Sequence, residues 1–298
     1  SSCWIIPPVG DWASGASLAG HVSLAGAGPR WRHPADGKMG NDSSVCACKE
    51  GCASTADEES PHAQTQPPCL LEDGSVYEGE WLHGQRHGHG LQKFKDGSEY
   101  DGQWQSGRRH GRGRYLHASG DVYEGEMRND LAHGEGYYKS VDGSTFMGHW
   151  EDDRRHGEGV EVSKDGERYE GQYSCGSKHG KGIFTWPDGS CYDGHFAMDG
   201  LSGQGTYIWD DGRKFKGQWF ENYMHGLGAF TWADGRSFEG EYVKNLKHGI
   251  GTFRWPDGRV WEGQWRDGQQ DGIGIYTTAT GDMRKGVWEA GKQKSWLQ

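Results

Sequence analysis

From Tyr77 onward the chain repeats itself every 23 residues without an insertion. Tyr77, Tyr100, Tyr123, Phe146, Tyr169, Tyr192, Phe215, Phe238 and Trp261 share one column, and Arg284 opens a truncated tenth copy. Two residues after each stands a glycine, from Gly79 to Gly286. A short fixed period means a stack of small units, each touching only its neighbours. Such a stack offers a long binding surface and argues against a single catalytic pocket.

Inside the first copy, Tyr77, Gly79 and Trp81 alternate with Glu78 and Glu80. Period two marks a strand with one apolar face. Gly84 and His87-Gly88 read as a glycine-rich turn, and a second extended stretch begins near Gly90. Asp96-Gly97 then closes the unit with a tight-turn dipeptide. Each repeat is therefore expected to be one β-hairpin. The glycine after the leading aromatic is expected to make room for a ring from the next hairpin. The fifth column carries Trp81, Trp104, Trp150, Trp219 and Trp265, and the second strand adds Trp186, Trp209, Trp232 and Trp255.

Hairpin upon hairpin predicts an all-β fold: an elongated single-layer antiparallel sheet over residues 71–298, preceded by a disordered segment, residues 1–70. At about 4.8 Å per strand, each repeat advances the stack by about 10 Å, and the array spans on the order of 90 Å. Hydrophobic residues make up only 33% of a chain holding 15 Trp and 13 Tyr. That is too polar for a thick two-layer core, so stacked aromatics are expected to supply the buried area.

The pattern YEGEW…GxGxxxxxDG resembles the MORN (membrane occupation and recognition nexus) repeat, from Tyr77 to about Trp288. Nine full copies hold the aromatic, Gly, HG, GxG and DG columns in register. Departures occur: Val160-Glu161-Val162 lacks second-strand aromatics, and Ser202 and Asp271 stand where other copies have histidine. The resemblance implies a rod or gently curved single-layer sheet with an aromatic groove, lined by Tyr77, Tyr100 and the tryptophans above; the departures imply weaker stacking in the fourth repeat. Similar arrays occur in junctophilins, in radial-spoke and other ciliary proteins, in protist cytoskeletal scaffolds, and ahead of the catalytic domains of plant phosphatidylinositol-phosphate kinases and a SET-domain methyltransferase. The array is non-catalytic in these settings, which implies a scaffold or targeting module and leaves the cargo open.

Ahead of the array, the segment to about Gln66 has no periodicity and is rich in Gly, Ala, Ser and Pro. Met39-Gly40-Asn41-Asp42-Ser43-Ser44 fits an N-myristoylation pattern with Gly40 as acceptor, on the condition that Met39 is the start. One acyl chain binds membranes only marginally, and Cys46, Cys48 and Cys52 could take a second. Two other readings stand beside it: an ordinary flexible tail with an internal Met39, and a zinc site from the three cysteines. The latter lacks a fourth ligand from a matching cluster. Seven cysteines without a convincing signal peptide argue against a disulfide framework, and no apolar run approaches the ~20 residues of a spanning helix. The expected setting is cytoplasmic, membrane-associated or cytoskeletal, cilium and axoneme included.

The histidine column tempts a metal reading. Repeats about 10 Å apart cannot bring successive histidines within the ~2 Å that zinc requires. A turn residue bonded to backbone is the plainer expectation. Basic residues precede these histidines: Arg86-His87, Arg108-Arg109-His110, Arg154-Arg155-His156, Lys178-His179 and Lys247-His248. Aligned along one edge they would form a cationic ridge for anionic phospholipid headgroups or an acidic partner; a solvated turn edge is the alternative. The formal charge of −11 divides into −5 before Tyr77 (4 basic, 9 acidic) and −6 after it (28 basic, 34 acidic). An acidic array excludes nucleic acid as a general partner. The acidic second column, from Glu78 to Glu262, should face solvent opposite the rings. No P-loop, nucleophile elbow or kinase signature occurs, and GxG inside a hairpin does not cradle a dinucleotide.

These readings converge on a non-enzymatic scaffold with no cofactor and no metal. It would bind protein partners along the aromatic face, touch anionic phospholipid locally and self-associate through exposed end strands. An axonemal structural component and the regulatory array of a phosphatidylinositol-phosphate kinase remain the competing readings.

Overall fold

The computed structural model describes residues 62–298. Strands and turns make up the described residues, which contain no helix. The 21 strands form one open antiparallel sheet built of hairpins. Two compact units divide it: residues 62–166 with 173–176, and residues 167–172 with 177–298.

In the first unit Gln64–Leu70 pairs with Val76–Leu82, so a strand lies inside the segment expected to be disordered. The hairpins that follow are Val76–Leu82 with Gln85–Lys93, Glu99–Gln105 with Arg108–Leu116, Val122–Arg128 with Leu131–Lys139, and Thr145–Glu151 with Arg154–Val162. The second unit holds Ser177–Thr185 and the hairpins Cys191–Ala197 with Gly200–Ile208, Lys214–Phe220 with Tyr223–Thr231, Ser237–Val243 with Leu246–Arg254, Val260–Arg266 with Gln269–Thr277, and Met283–Glu289 with Lys292–Trp296. Arg168–Ser174 completes the set.

The turn within each hairpin is tighter than the sequence reading placed it. His83 and Gly84 form it alone, with φ of 49° and 71°. Two successive positive φ values match the twist of the flanking strands, which is why such hairpins favour Gly, Asn and Asp. Asn129-Asp130, Glu221-Asn222 and Lys244-Asn245 occupy the same turn. His87-Gly88 therefore belongs to the second strand and not to the turn. There the register slips: Gly79 faces Gly90 but Glu80 faces His87. Gly88, at φ 58°, takes up the extra length as a bulge.

The Asp-Gly loops behave as expected. Asp96 Oδ1 accepts bonds from Ser98 N at 2.9 Å and Ser98 Oγ at 2.6 Å. These two bonds stabilise the ionised carboxylate and pull its pKa below the usual value.

The invariant glycine column has a different cause from the one expected. The ring over it belongs to its own repeat. A Cβ on Gly90 would sit 2.5–2.6 Å from carbons of the Tyr77 ring, and a Cβ on Gly79 would strike Gly90 Cα and the His89 carbonyl. The glycine pair is thus a seat for the leading ring of the same hairpin.

Candidate binding surfaces

The leading rings run through each unit as a ladder. Tyr77 meets Trp81 at 5.2 Å and Trp104 of the next repeat at 5.4 Å; Phe146 meets Trp150 at 5.3 Å and Tyr173 at 5.1 Å. In the second unit Phe215 meets Trp219 and Tyr242, each at 5.2 Å, and Trp261 meets Trp265 and Trp288. All are edge-to-face, the arrangement the ring quadrupole favours. Some of the tryptophans also bond back to the sheet: Trp104 Nε1 donates to Gly90 O at 2.9 Å and Trp265 Nε1 to Gly251 O at 3.1 Å.

The ladder consumes most of the predicted groove. Tyr77 and Tyr100 are fully enclosed, and Trp81, Trp104, Trp150, Trp209, Trp219 and Trp265 are buried. Only Trp186, Trp232 and Trp255 stay half-exposed. These three belong to a second row, continuous in the second unit and represented in the first by Phe94 and Tyr115, 6.2 Å apart. It runs Phe184–Trp186–Tyr207–Trp209–Phe230–Trp232–Phe253–Trp255 with centroids 4.4–5.5 Å apart and planes tilted by 38–57°. Arg213, Arg236 and Arg259 lie over Trp209, Trp232 and Trp255 at 5.2–5.7 Å, each held by its loop aspartate.

The expected cationic ridge does not form as one surface, because strand alternation divides it. Arg86, Arg109, Arg155, Lys178 and Lys247 turn onto the aromatic face. Arg86 lies 4.4 Å above Trp104, and Arg109 lies 4.8 Å above Tyr115 while pairing with Asp130. Arg155 stacks on Phe146 and bonds Glu161 at 2.6 Å, and Tyr173 Oη donates to the same carboxylate. An ion pair thus stands where other repeats have a ring, which explains the missing aromatics of the fourth copy. Lys178 sits over Tyr169 and Phe184. Lys247 is caged by Trp232, Phe238, Phe253 and Trp265 at 4.8–5.2 Å, and burial pushes its ammonium down to about 7, with Arg236 adding to the shift. These cations cement rings.

His87, His110, His156 and His248 are half-buried on the opposite face, where His179, Arg108 and Arg154 are exposed. His156 Nδ1 lies 3.2 Å from Glu151. Because the histidines stand in a strand, their column is not a turn edge. The acidic second column, with Glu78, Asp101 and Glu124, is exposed on this face as expected.

One functional column escaped the sequence reading. The fourth residue of each repeat is mostly Glu or Gln, and its side chain caps the backbone N–H freed by the bulge. Glu80 Oε1 accepts from His89 N at 2.9 Å, Gln103 from Arg112 N at 2.8 Å, and Gln218 from Leu227 N at 2.8 Å. Its carbonyl accepts the leading tyrosine hydroxyl, as in Tyr100 Oη to Gln103 O at 3.0 Å. The period-23 recurrence of Glu/Gln was the available signal. Another column bonds hairpin to hairpin: Asn222 Oδ1 accepts from Leu201 N and Asn245 Oδ1 from Met224 N, both at 2.7 Å.

Gly40, Cys46, Cys48 and Cys52 lie outside the described residues.

Comparison with solved structures finds the wild-type TCP10 domain of Danio rerio CPAP in complex with a peptide of Danio rerio STIL. It covers 80% of this chain and 99% of that one, at 13% identity and a TM-score of 0.43. The TCP domain of Drosophila melanogaster SAS-4 (dCPAP), in complex with a proline-rich motif of Ana2 (dSTIL), covers 52% and 85%, at 11% identity and a TM-score of 0.34. Likeness at this level carries no functional argument. No curated protein sequence matches the chain. The MORN repeat model matches nine times, at residues 77–99, 100–122, 123–145, 146–168, 169–191, 192–212, 215–235, 238–258 and 261–283. That repeat is a non-catalytic one, suited to binding and scaffolding. With ring, glycine and Asp-Gly columns folded as one hairpin per match, the chain belongs to the MORN repeat family.

Proposed function

We propose that this protein is a non-enzymatic scaffold that holds a protein partner against the second aromatic row of its C-terminal repeats. The observation that carries the reading is the half-exposure of Trp186, Trp232 and Trp255 in a chain that buries its other groove tryptophans. Large rigid rings that stay partly exposed are the side chains that anchor protein interfaces. The tether in this reading is acylated Gly40 with Cys46, Cys48 or Cys52, which would hold the array at a cytoplasmic membrane face. Direct recognition of anionic phospholipid has weaker support, since most cations of the expected ridge are spent on rings. An axonemal location without acylation is the competing reading.

The test is affinity capture from source-cell extract with the wild type and with Trp186→Ser/Trp232→Ser/Trp255→Ser, with captured proteins identified by mass spectrometry. A protein retained by the wild type and lost from the variant supports the reading; equal recovery overturns it. Vesicle flotation of the myristoylated chain beginning at Met39, beside Gly40→Ala, tests the tether separately. Flotation that ignores Gly40 removes it.

A further inference from the structure

The second aromatic row carries a length scale. Its equivalent rings Trp186, Trp209, Trp232 and Trp255 recur once per hairpin. A hairpin is two strands at about 4.8 Å, so the interval is about 9.6 Å. Ring-to-ring steps of 4.4–5.5 Å, two per hairpin, agree with it. A chain lying along the row must return the same face at that interval. Three residues of polyproline II advance about 9.3 Å and close one turn. The drift is about 0.3 Å per hairpin, and about 1 Å over the three steps from Trp186 to Trp255. Seven residues of α-helix advance about 10.5 Å and drift by about 2.7 Å over the same steps. An extended strand returns its face every two residues, about 6.8 Å, and loses register at the first step.

The row is also unevenly charged. Arg213, Arg236 and Arg259 pair with Asp211, Asp234 and Asp257 in its last three loops. In the first loop Ser190 stands where the others have arginine. Asp188 Oδ1 accepts from Ser190 N at 2.8 Å and has no arginine in its own loop. Asp210 is the surplus carboxylate of the second loop, and its N–H donates to Ser190 Oγ at 3.1 Å, which ties the two loops together. Asp188 and Asp210 are exposed and make no ion pair among the described residues. Burial raises the Tyr207 hydroxyl pKa and both carboxylates add to the shift, so they stand beside the ring that links Trp186 to Trp209. The Trp186 end of the row is therefore acidic and complements a cation. Taking the row as the partner site proposed above, we infer that its occupant is a proline-rich segment in the polyproline II conformation, with a lysine or arginine that reaches Asp188 and Asp210. Proline rings pack on the open parts of Trp186, Trp232 and Trp255, and a backbone whose φ is already fixed loses little entropy on binding.

The test is fluorescence anisotropy of labelled peptides with the full chain. Nine prolines span about 28 Å, the length of the row. One probe adds an arginine at the N-terminal end and a second adds it at the C-terminal end. A third is the proline run alone, and a fourth joins one arginine to a Gly-Ser run of equal length. An arginine-bearing proline peptide is expected to bind saturably, and Trp186→Ser/Trp232→Ser/Trp255→Ser to weaken it at least about tenfold. Asp188→Asn/Asp210→Asn retains an oxygen for Ser190 N and should weaken the same peptide about two- to fivefold, leaving the plain proline run unaffected. Equal binding of the Gly-Ser peptide overturns the proposal, as does proline binding that ignores the tryptophan variant or an arginine preference that survives the aspartate variant. Absence of binding by the wild type overturns it too. If capture from extract then still depends on the three tryptophans, the scaffold reading stands without a proline-rich partner; if it does not, the row itself is lost as a partner site.

Discussion

The seat of Phe215 offers the sharpest test of why the glycine columns never vary. A Cβ on Gly228 would meet the Phe215 ring, 2.5 Å from Cε2, and the nearest atom outside that ring is Gly217 Cα at 3.3 Å. A Cβ on Gly217 would meet backbone, namely Gly228 Cα at 2.5 Å and the Leu227 carbonyl at 2.7 Å, and also Phe215 Cζ at 2.7 Å. Overpacking of a fixed site costs about 1–3 kcal/mol, and Gly228→Ala is expected in that range. Phe215→Ala removes a fully buried ring that contacts Trp219 and Tyr242, and should cost about 3–5 kcal/mol. Once the ring is gone, the closest contact of Gly228→Ala is Gly217 Cα at 3.3 Å, while alanine gains about 0.5–1 kcal/mol over glycine within a strand. Its cost should therefore fall to about zero in the Phe215→Ala background, a coupling of about 1–3 kcal/mol. Gly217→Ala should stay damaging even without the ring, because the contacts with Gly228 Cα and the Leu227 carbonyl remain and backbone cannot yield. Hydrogen exchange of the amides in Lys214–Phe220 and Tyr223–Thr231 reads the local opening free energy, which suits an array whose repeats open separately. Simple additivity of Gly228→Ala and Phe215→Ala would refute the ring as the reason for the column.

Lys247 carries a pH dependence of definite sign. Its folded pKa is lowered from 10.5 to about 7, so the unfolded chain binds the extra proton between these values and stability rises with pH across that window. At 1.36 kcal/mol per unit the rise from pH 7 to pH 10 is at most about 4 kcal/mol; denaturation midpoints of the wild type and Lys247→Met should converge as pH increases, and parallel curves would show that the cage does not lower the ammonium's pKa. Asn245→Ala loses the bond to Met224 N and keeps the φ of 70°, so it should cost about 2 kcal/mol, and Asn245→Gly about half of that, read by exchange at Met224. Glu161→Ala leaves the Arg155 guanidinium buried without its carboxylate and should cost about 3–5 kcal/mol. Arg155→Ala/Glu161→Tyr copies the Ala132 and Tyr138 combination of the third repeat and should fall within about 1 kcal/mol of the wild type in the same denaturation assay.

The hairpin architecture was legible because period 23 and period two are both written in residue type. Tyr77, Gly79 and Trp81 alternate with Glu78 and Glu80, and Asp96-Gly97 needs a tight turn wherever it stands. The first turn was misplaced because Gly84 and Gly88 both accept positive φ. Only the register between Val76–Leu82 and Gln85–Lys93 distinguishes a two-residue turn from a bulge. The same slip hid the role of Glu80 and Gln103. Their carboxyl and amide oxygens look solvent-facing until a bulge frees His89 N and Arg112 N beside them.

Repetition by itself determined the all-β array, the spacing of its units and the placement of aromatics on one face, since alternation along a strand is set by covalent geometry. Tertiary structure alone decided which rings remain open and where the cations go. Arg108 and Arg109 are neighbours in sequence, yet one is exposed while the other lies buried over Tyr115. A single-residue step in a strand reverses the face, and a composition-level cluster such as Arg-Arg-His cannot say which of its members the ring ladder will bury.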